Sequence, residues 1–272
     1  MKKLYDKFPI LVGLILGMGI SICFILFEYF LVTTGISECG VIVDSYLRII
    51  TGILTLILLK EIYKNKFGKL FTTRPPKSTC LYCIPMFLYL LLQFIHLPTA
   101  ESLTTAYISS FLWSCLQQIG TGFWEEAASK GVLMGGMLAK WKDSAKGRLA
   151  MVFLTALCFG ATHILNYLFG SDIISCLWQA LYASAFGIFV AAIYLHSGNL
   201  LLCMIIHTVW DILIRIPNYF CENIQYGLLT DIIYTTEDIL ELGIFPIVAI
   251  VICVKYKENK NSEVSSEVTE TN

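Results

Sequence analysis

FPILVGLILGMGISICFILFEYFLV, residues 8–32, carries one charged side chain, Glu28, in an otherwise apolar run. A helix that crosses a bilayer needs about 20 such residues, so this stretch is long enough to do so. Lys2, Lys3 and Lys7 stand just before it. A basic start followed by an apolar run can mark a cleaved signal peptide, but this run is too long for one and ends without a small-residue cleavage pattern. It reads as an anchor.

The rest of the chain repeats that character. Of its 272 residues, 57% are hydrophobic and 14% charged, and the mean hydropathy is strongly positive, which lies outside the soluble range. Eight stretches qualify as spans, at about 8–32, 41–59, 79–98, 105–138, 148–170, 174–195, 199–216 and 239–254. The expected fold is therefore an all-α, polytopic transmembrane helical bundle. Bases gather in alternate connections: Lys2, Lys3 and Lys7; Lys60, Lys64, Lys66, Lys69, Arg74 and Lys77; Lys140, Lys142, Lys146 and Arg148; and Lys255, Lys257 and Lys260. The connections near 33–40, 98–104, 170–173 and 217–238 hold acids and almost no bases. The positive-inside rule then places both termini in the cytoplasm. The tail after 257, rich in Ser, Thr and Glu, has nothing with which to build a core and is expected to be disordered. A net charge of -1 without a long basic soluble segment gives no case for nucleic-acid binding.

Ten cysteines suggest a disulfide framework until their positions are read. Cys23, Cys115, Cys158, Cys176, Cys203 and Cys253 fall inside expected spans, where free Cys behaves as a small apolar residue. Cys80 and Cys83 make a lone CxxC without a second pair, better read as a helix-end coincidence than as a metal or redox site.

Ionisable groups within a bilayer are costly and by default face a bundle interior or a water-filled cavity. Asp44 and Arg48 are one turn apart and can neutralise each other. Glu28 is near enough to a helix end to snorkel, and His96, beside Pro98, reads as an interfacial histidine. Glu125, Glu126 and Lys130, then His163, then His207 and Asp211 differ from these: three separate spans each supply polar residues at comparable depth. At about 1.5 Å per residue, Glu125 and Glu126 lie about 20 Å from the cytoplasmic end of their helix, His163 about 22 Å above Arg148, and His207 about 12 Å beyond the 196–199 turn.

Spacing assigns directions. Adjacent helical residues are about 100° apart, so one glutamate can address a cavity while the other turns to a neighbour. Glu126 and Lys130 are i, i+4 in the favourable order, which leaves Glu125 for the cavity. His207 and Asp211 are also i, i+4, an arrangement in which a carboxylate can fix an imidazole's tautomer or hold it protonated. Phe159, four residues before His163, can pack on its ring. Water held between a carboxylate and imidazoles suits hydrolysis: the carboxylate takes a proton and a positioned donor stabilises the oxyanion. Glu125, His163 and His207 are also candidate zinc ligands, although no HExxH helix is present.

At these residues the sequence resembles the CAAX protease and bacteriocin-processing family, also called Abi or type II CAAX prenyl endopeptidases, whose members are intramembrane proteases. The family pattern EExxxR, FxxxH and Hxxx(N/D) reads here EEAASK at 125–130, FGATH at 159–163 and HTVWD at 207–211. The run AFGIFVAAIYLHSGNLLLCMIIHTVWD, 185–211, looks like the family's helix, SGN turn and helix. The resemblance implies a protease core over 105–215, preceded by three spans in 1–104 and followed by a loop and last span in 216–257 and the tail in 258–272. It further implies that Glu125 is the general base, that His163 holds the same water, that His207 and Asp211 stabilise the oxyanion or orient that stabiliser, and that Glu126 supports the site through its neighbours. For Asp211 the role of orienting His207 is preferred, because a carboxylate donates to an oxyanion only when protonated. Lys130 stands where the family usually has Arg, and it lacks the planar fork that grips a carboxylate bidentately.

The resulting expectation is an intramembrane endopeptidase in a plasma membrane, or an ER membrane in a eukaryote. Its substrate would be a membrane-associated peptide, either a lipidated CAAX terminus or a leader or bacteriocin peptide, cleaved by Glu/His-activated water, with zinc as the alternative agent. Two other classes compete: a non-catalytic immunity or scaffold protein of the same fold, and a proton-coupled transporter. Transporters show repeated halves and broken helices. No such halves are visible, though Gly120 and Gly122 could break the fourth span.

Overall fold

The computed structural model describes residues 2–35, 40–93, 105–216 and 228–256, and those residues form helices and short connections with no strand among them. In chain order the principal helices are α1 (Pro9–Thr33), α2 (Val41–Tyr63), α3 (Ile84–Gln93), α4 (Thr105–Glu126), α5 (Ala145–Thr162), α6 (Ile173–Ser197), α7 (Leu200–Leu213), α8 (Leu228–Asp238) and α9 (Phe245–Lys255). A π-helix, Ala127–Met134, continues α4 into the helix Gly135–Trp141, and a second, Ile239–Ile244, joins α8 to α9. His96 and the tail lie outside the described residues.

Among the described residues four helices are long and apolar enough to cross a membrane: Pro9–Thr33, Ile42–Lys66, Ala145–Phe169 and Ile173–Ser197. Ile84–Gln93 and Leu200–Leu213 are apolar but shorter. A helix meets its backbone hydrogen bonds within the segment, which a bilayer interior demands. Side-chain packing follows the same logic. Leu11, Ile15, Phe27, Leu54, Leu91 and Leu157 are exposed on the outside of the bundle, whereas Glu126, Lys130, Arg148 and His207 are buried within it.

Local sequence sets the helix ends. Ser144, Asp172 and Asn199 cap α5, α6 and α7 through side-chain oxygens that accept from Gly147, Ser175 and Leu202 backbone N–H groups. The Asp172 carboxyl is held below its usual range by those bonds to Ser175. Gly198, at φ 65, closes α6 in the left-handed conformation and lets the chain reverse directly into α7.

Two differences from the sequence expectation bear on the site. Helix α4 runs unbroken through Gly120 and Gly122. The connection expected over 217–238 contains helix α8, whose mixture of polar and apolar residues gave no span-like signal.

Candidate active site

The site begins where α4 passes into the π-helix. A π-helix bonds i to i+5 instead of i+4, and such stretches recur at functional sites. Tyr63 Oη donates to the Gly131 carbonyl and Tyr5 Oη to that of Val132, both at 3.0 Å, so two side chains from the N-terminal helices tie down the widened coil. Gly122 explains how close α4 comes to α7. A Cβ there would lie 2.4 Å from Thr208 Oγ1 and 2.9 Å from its backbone nitrogen, so only glycine permits this contact.

That approach brings the two glutamates against His207 and divides them. Glu126 is fully buried; its Oε1 accepts from His207 Nδ1 at 2.9 Å and from Lys130 Nζ at 3.0 Å, while Lys130 has no exposure and sits 4.9 Å over the Phe159 ring. Glu125 retains 14% side-chain exposure, with Oε2 3.7 Å from His207 Nε2. Asp211 Oδ2 is also 3.7 Å from Nε2. Both gaps exceed a direct hydrogen bond. Thus the carboxylate that hydrogen-bonds His207 is Glu126, where sequence spacing had favoured Asp211. Asp211 instead faces Gln118, whose amide nitrogen, with the amide turned to suit its neighbours, donates to Oδ2 at 3.0 Å.

Glu125, His163, His207 and Asp211 line one cavity of about 610 Å³, with Phe159 and Phe186 among its walls. Phe159 lies edge-on to both imidazoles, with ring centroids 5.1 Å from His163 and 5.8 Å from His207. His163 Nδ1 faces the Phe159 carbonyl at 3.2 Å, which suits a proton on Nδ1. Of the five residues singled out by the sequence, four line the cavity; the fifth, Glu126, is sealed behind them.

Sequence reasoning missed part of the wall. Arg48 does pair with Asp44, at 2.9 and 3.0 Å, but it also donates to Thr121 Oγ1 at 3.1 Å and reaches Glu28 at 3.4 Å. Glu28 and Arg48 therefore face the cavity beside Glu125. Gln117 donates to Asp44 from α4. The signal was present as a polar stripe, with Gln117, Thr121 and Glu125 at i, i+4 and i+8. Glu237, Asp238 and Glu241 line the far wall. Gln93 Nε2 donates to Glu237 at 2.7 Å and Tyr182 Oη to Asp238 at 2.6 Å. Burial pushes the Glu237 carboxyl up to about 7, with Asp238 adding to the rise and Gln93 opposing it.

Among the described residues no group of three or more His, Cys, Asp and Glu side chains is arranged to hold a metal ion. His207 Nδ1 is occupied by Glu126 and His163 Nδ1 faces a carbonyl, so neither Nδ1 is open to a metal. Cys80 and Cys83 are both free, the first exposed and the second buried.

The fold and site together define a helical membrane protein with a carboxylate and imidazole cavity enclosed by its bundle. Residues 106–213 match the family model described as Type II CAAX prenyl endopeptidase Rce1-like. That matched stretch contains Glu125, Glu126, His163, His207 and Asp211. No curated protein and no solved structure matches the chain.

Proposed function

We propose that the protein is an intramembrane endopeptidase that hydrolyses a peptide bond of a membrane-associated substrate through water activated by Glu125. The observation that carries this reading is the division of the two adjacent glutamates: one opens to a cavity shared with two imidazoles, and the other is buried and holds one of those imidazoles in place.

In this mechanism water sits between Glu125 and the histidines. Glu125 takes a proton from it as the oxygen attacks the carbonyl carbon, and the tetrahedral oxyanion accepts a hydrogen bond from His207 Nε2–H. His207 does so as an imidazolium, because its Nδ1–H already donates to Glu126. His163 holds the attacking water, and Asp211 sets the far side of His207. Glu125 then passes its proton to the amine as the C–N bond breaks, leaving a new carboxylate and a new amine. Phe159 and Phe186 exclude bulk water, which strengthens each of these interactions. Lys130 serves geometry: it lies behind Glu126 and away from the cavity, so the missing guanidinium fork costs no substrate contact.

The chain is read as eight spans with both termini cytoplasmic, a protease core over 105–215, and flanking segments over 1–104, 216–257 and 258–272. The substrate is a lipidated or leader-type peptide met at the bilayer.

The test is cleavage of membrane-tethered and prenylated peptides by the purified, detergent-solubilised protein, with Glu125→Gln and His163→Ala beside it. Turnover present in the wild type and lost in both variants, at unchanged melting temperature, supports the reading. Equal rates in all three overturn it.

A further inference from the structure

The two ends of the bundle differ in charge, and the cavity belongs to one of them. Of the 19 Lys and Arg residues, all but Arg48, Lys130 and Arg215 lie in the alternate connections that start with the N-terminus and finish with the segment after 254. The other connections, 33–40, 98–104, 170–173 and 217–238, contain no Lys or Arg. Juxtamembrane bases of this kind orient a polytopic chain with their side inward.

In α1, α2, α5, α6 and α7 the cavity's residues occupy the end away from those bases, and α4 with its continuation to Trp141 lines it from Gln117 through Glu125 at mid-length. Lys7 precedes α1, while Glu28 lies near its end; Lys60 lies in the last turn of α2, while Arg48 is near its start. Arg148 is in the first turn of α5, whereas His163 follows its last residue. Gln179 and Tyr182 belong to the first half of α6, and Asp211 to the last turn of α7. Contacts between helices keep the ends apart. At the basic end Tyr5 meets Val132, Asn199 donates to the carbonyls of Phe71 and Thr73, and Arg148 donates to that of Cys253. At the other end Tyr29 packs on Phe169 at 5.8 Å, Asn166 pairs with Gln179, and Tyr182 with Asp238. The last two pairs are exposed and stand at the rim of the cavity.

We infer that the cavity opens on the non-cytoplasmic side of the membrane and takes its peptide from there. The substrate class is then an exported peptide, or the outer segment of a membrane-inserted one, and not a lipidated tail presented from the cytoplasm. The orientation rests on charge and geometry alone; the substrate class also rests on the endopeptidase reading.

Orientation is tested in intact cells with a membrane-impermeant maleimide, on the full chain with one added thiol at a time and the native chain as baseline. Gln179→Cys reads the cavity, Ser171→Cys the adjoining connection, and Lys146→Cys the basic end. Labelling above baseline at the first two in intact cells, and at the third only after the membrane is opened, is the expected result. The reverse pattern overturns the inference. A second arm offers one peptide in two fusions, exported or retained in the cytoplasm. Cleavage of the exported form alone is expected, and cleavage of the retained form alone overturns the substrate class. Outward labelling with neither fusion cut by wild type would sink the endopeptidase reading while upholding the orientation.

Discussion

Glu125 and Glu126, neighbours in the chain, are separated by the surface of the cavity: Glu125 lines it, and Glu126 lies sealed behind it with His207 and Lys130 on one oxygen. Their substitutions should part accordingly. Glu125→Gln keeps shape and leaves no buried charge without a partner, so it should abolish turnover with little change in melting temperature. Glu126→Leu strands Lys130 without its carboxylate, and breaking a buried pair from one side costs about 3 to 5 kcal/mol. Thermal unfolding of the two purified variants in the same detergent checks this; an equal loss of stability in both would contradict the division.

Lys130 offers a separate test because the family usually has Arg there. Its ammonium meets Glu126 and the Phe159 ring and does not line the cavity. Lys130→Met should lower the melting temperature and kcat together, since Glu126 loses the charge that balances it. Substrate KM should stay within about twofold, as expected for a residue that makes no substrate contact. A KM raised tenfold with kcat intact would instead mean that Lys130 grips the substrate.

Gly122 tests how the site is assembled. Adding a methyl group places a carbon 2.4 Å from Thr208 Oγ1, so Gly122→Ala must push α4 from α7 and draw Glu126 away from His207. Overpacking of this kind costs about 1 to 3 kcal/mol, and the loss in kcat should exceed tenfold because misplacement by an ångström disrupts the reacting geometry. Gly19→Ala, which meets nothing within 4 Å, is the control and should leave both unchanged.

These cases also show what the sequence could reveal. The helical class follows from apolar runs such as 8–32, because a bilayer imposes a length that composition records directly. The separation of Glu125 from Glu126 follows from helical geometry and the spacing to Lys130, and the structure has that arrangement. What stayed hidden depends on contacts between distant segments. Nothing local ties Arg48 to Thr121, or Tyr63 to the Gly131 carbonyl in the π-helix. The preference for Asp211 as the partner of His207 came from i, i+4 spacing, which could not anticipate that Gly122 would let Glu126 come within 2.9 Å of the ring.

Glu237, in the segment outside the expected spans, gives a prediction in pH. Burial raises its carboxyl to about 7, above the ordinary value of 4.5, so the folded protein binds a proton more tightly there than the unfolded chain does. Between those two values the folded state holds more protons, and stability therefore falls as pH rises. The penalty is absent below about 4.5 and fully present above about 7. Glu237→Gln keeps an oxygen for the Gln93 amide to donate to and removes the ionisation. Melting curves of the two proteins should therefore coincide near pH 4.5 to 5, with the variant increasingly the more stable as pH climbs to 8. A difference that stays constant across this range would mean that Glu237 stays ionised throughout, held by a charge other than those facing it here.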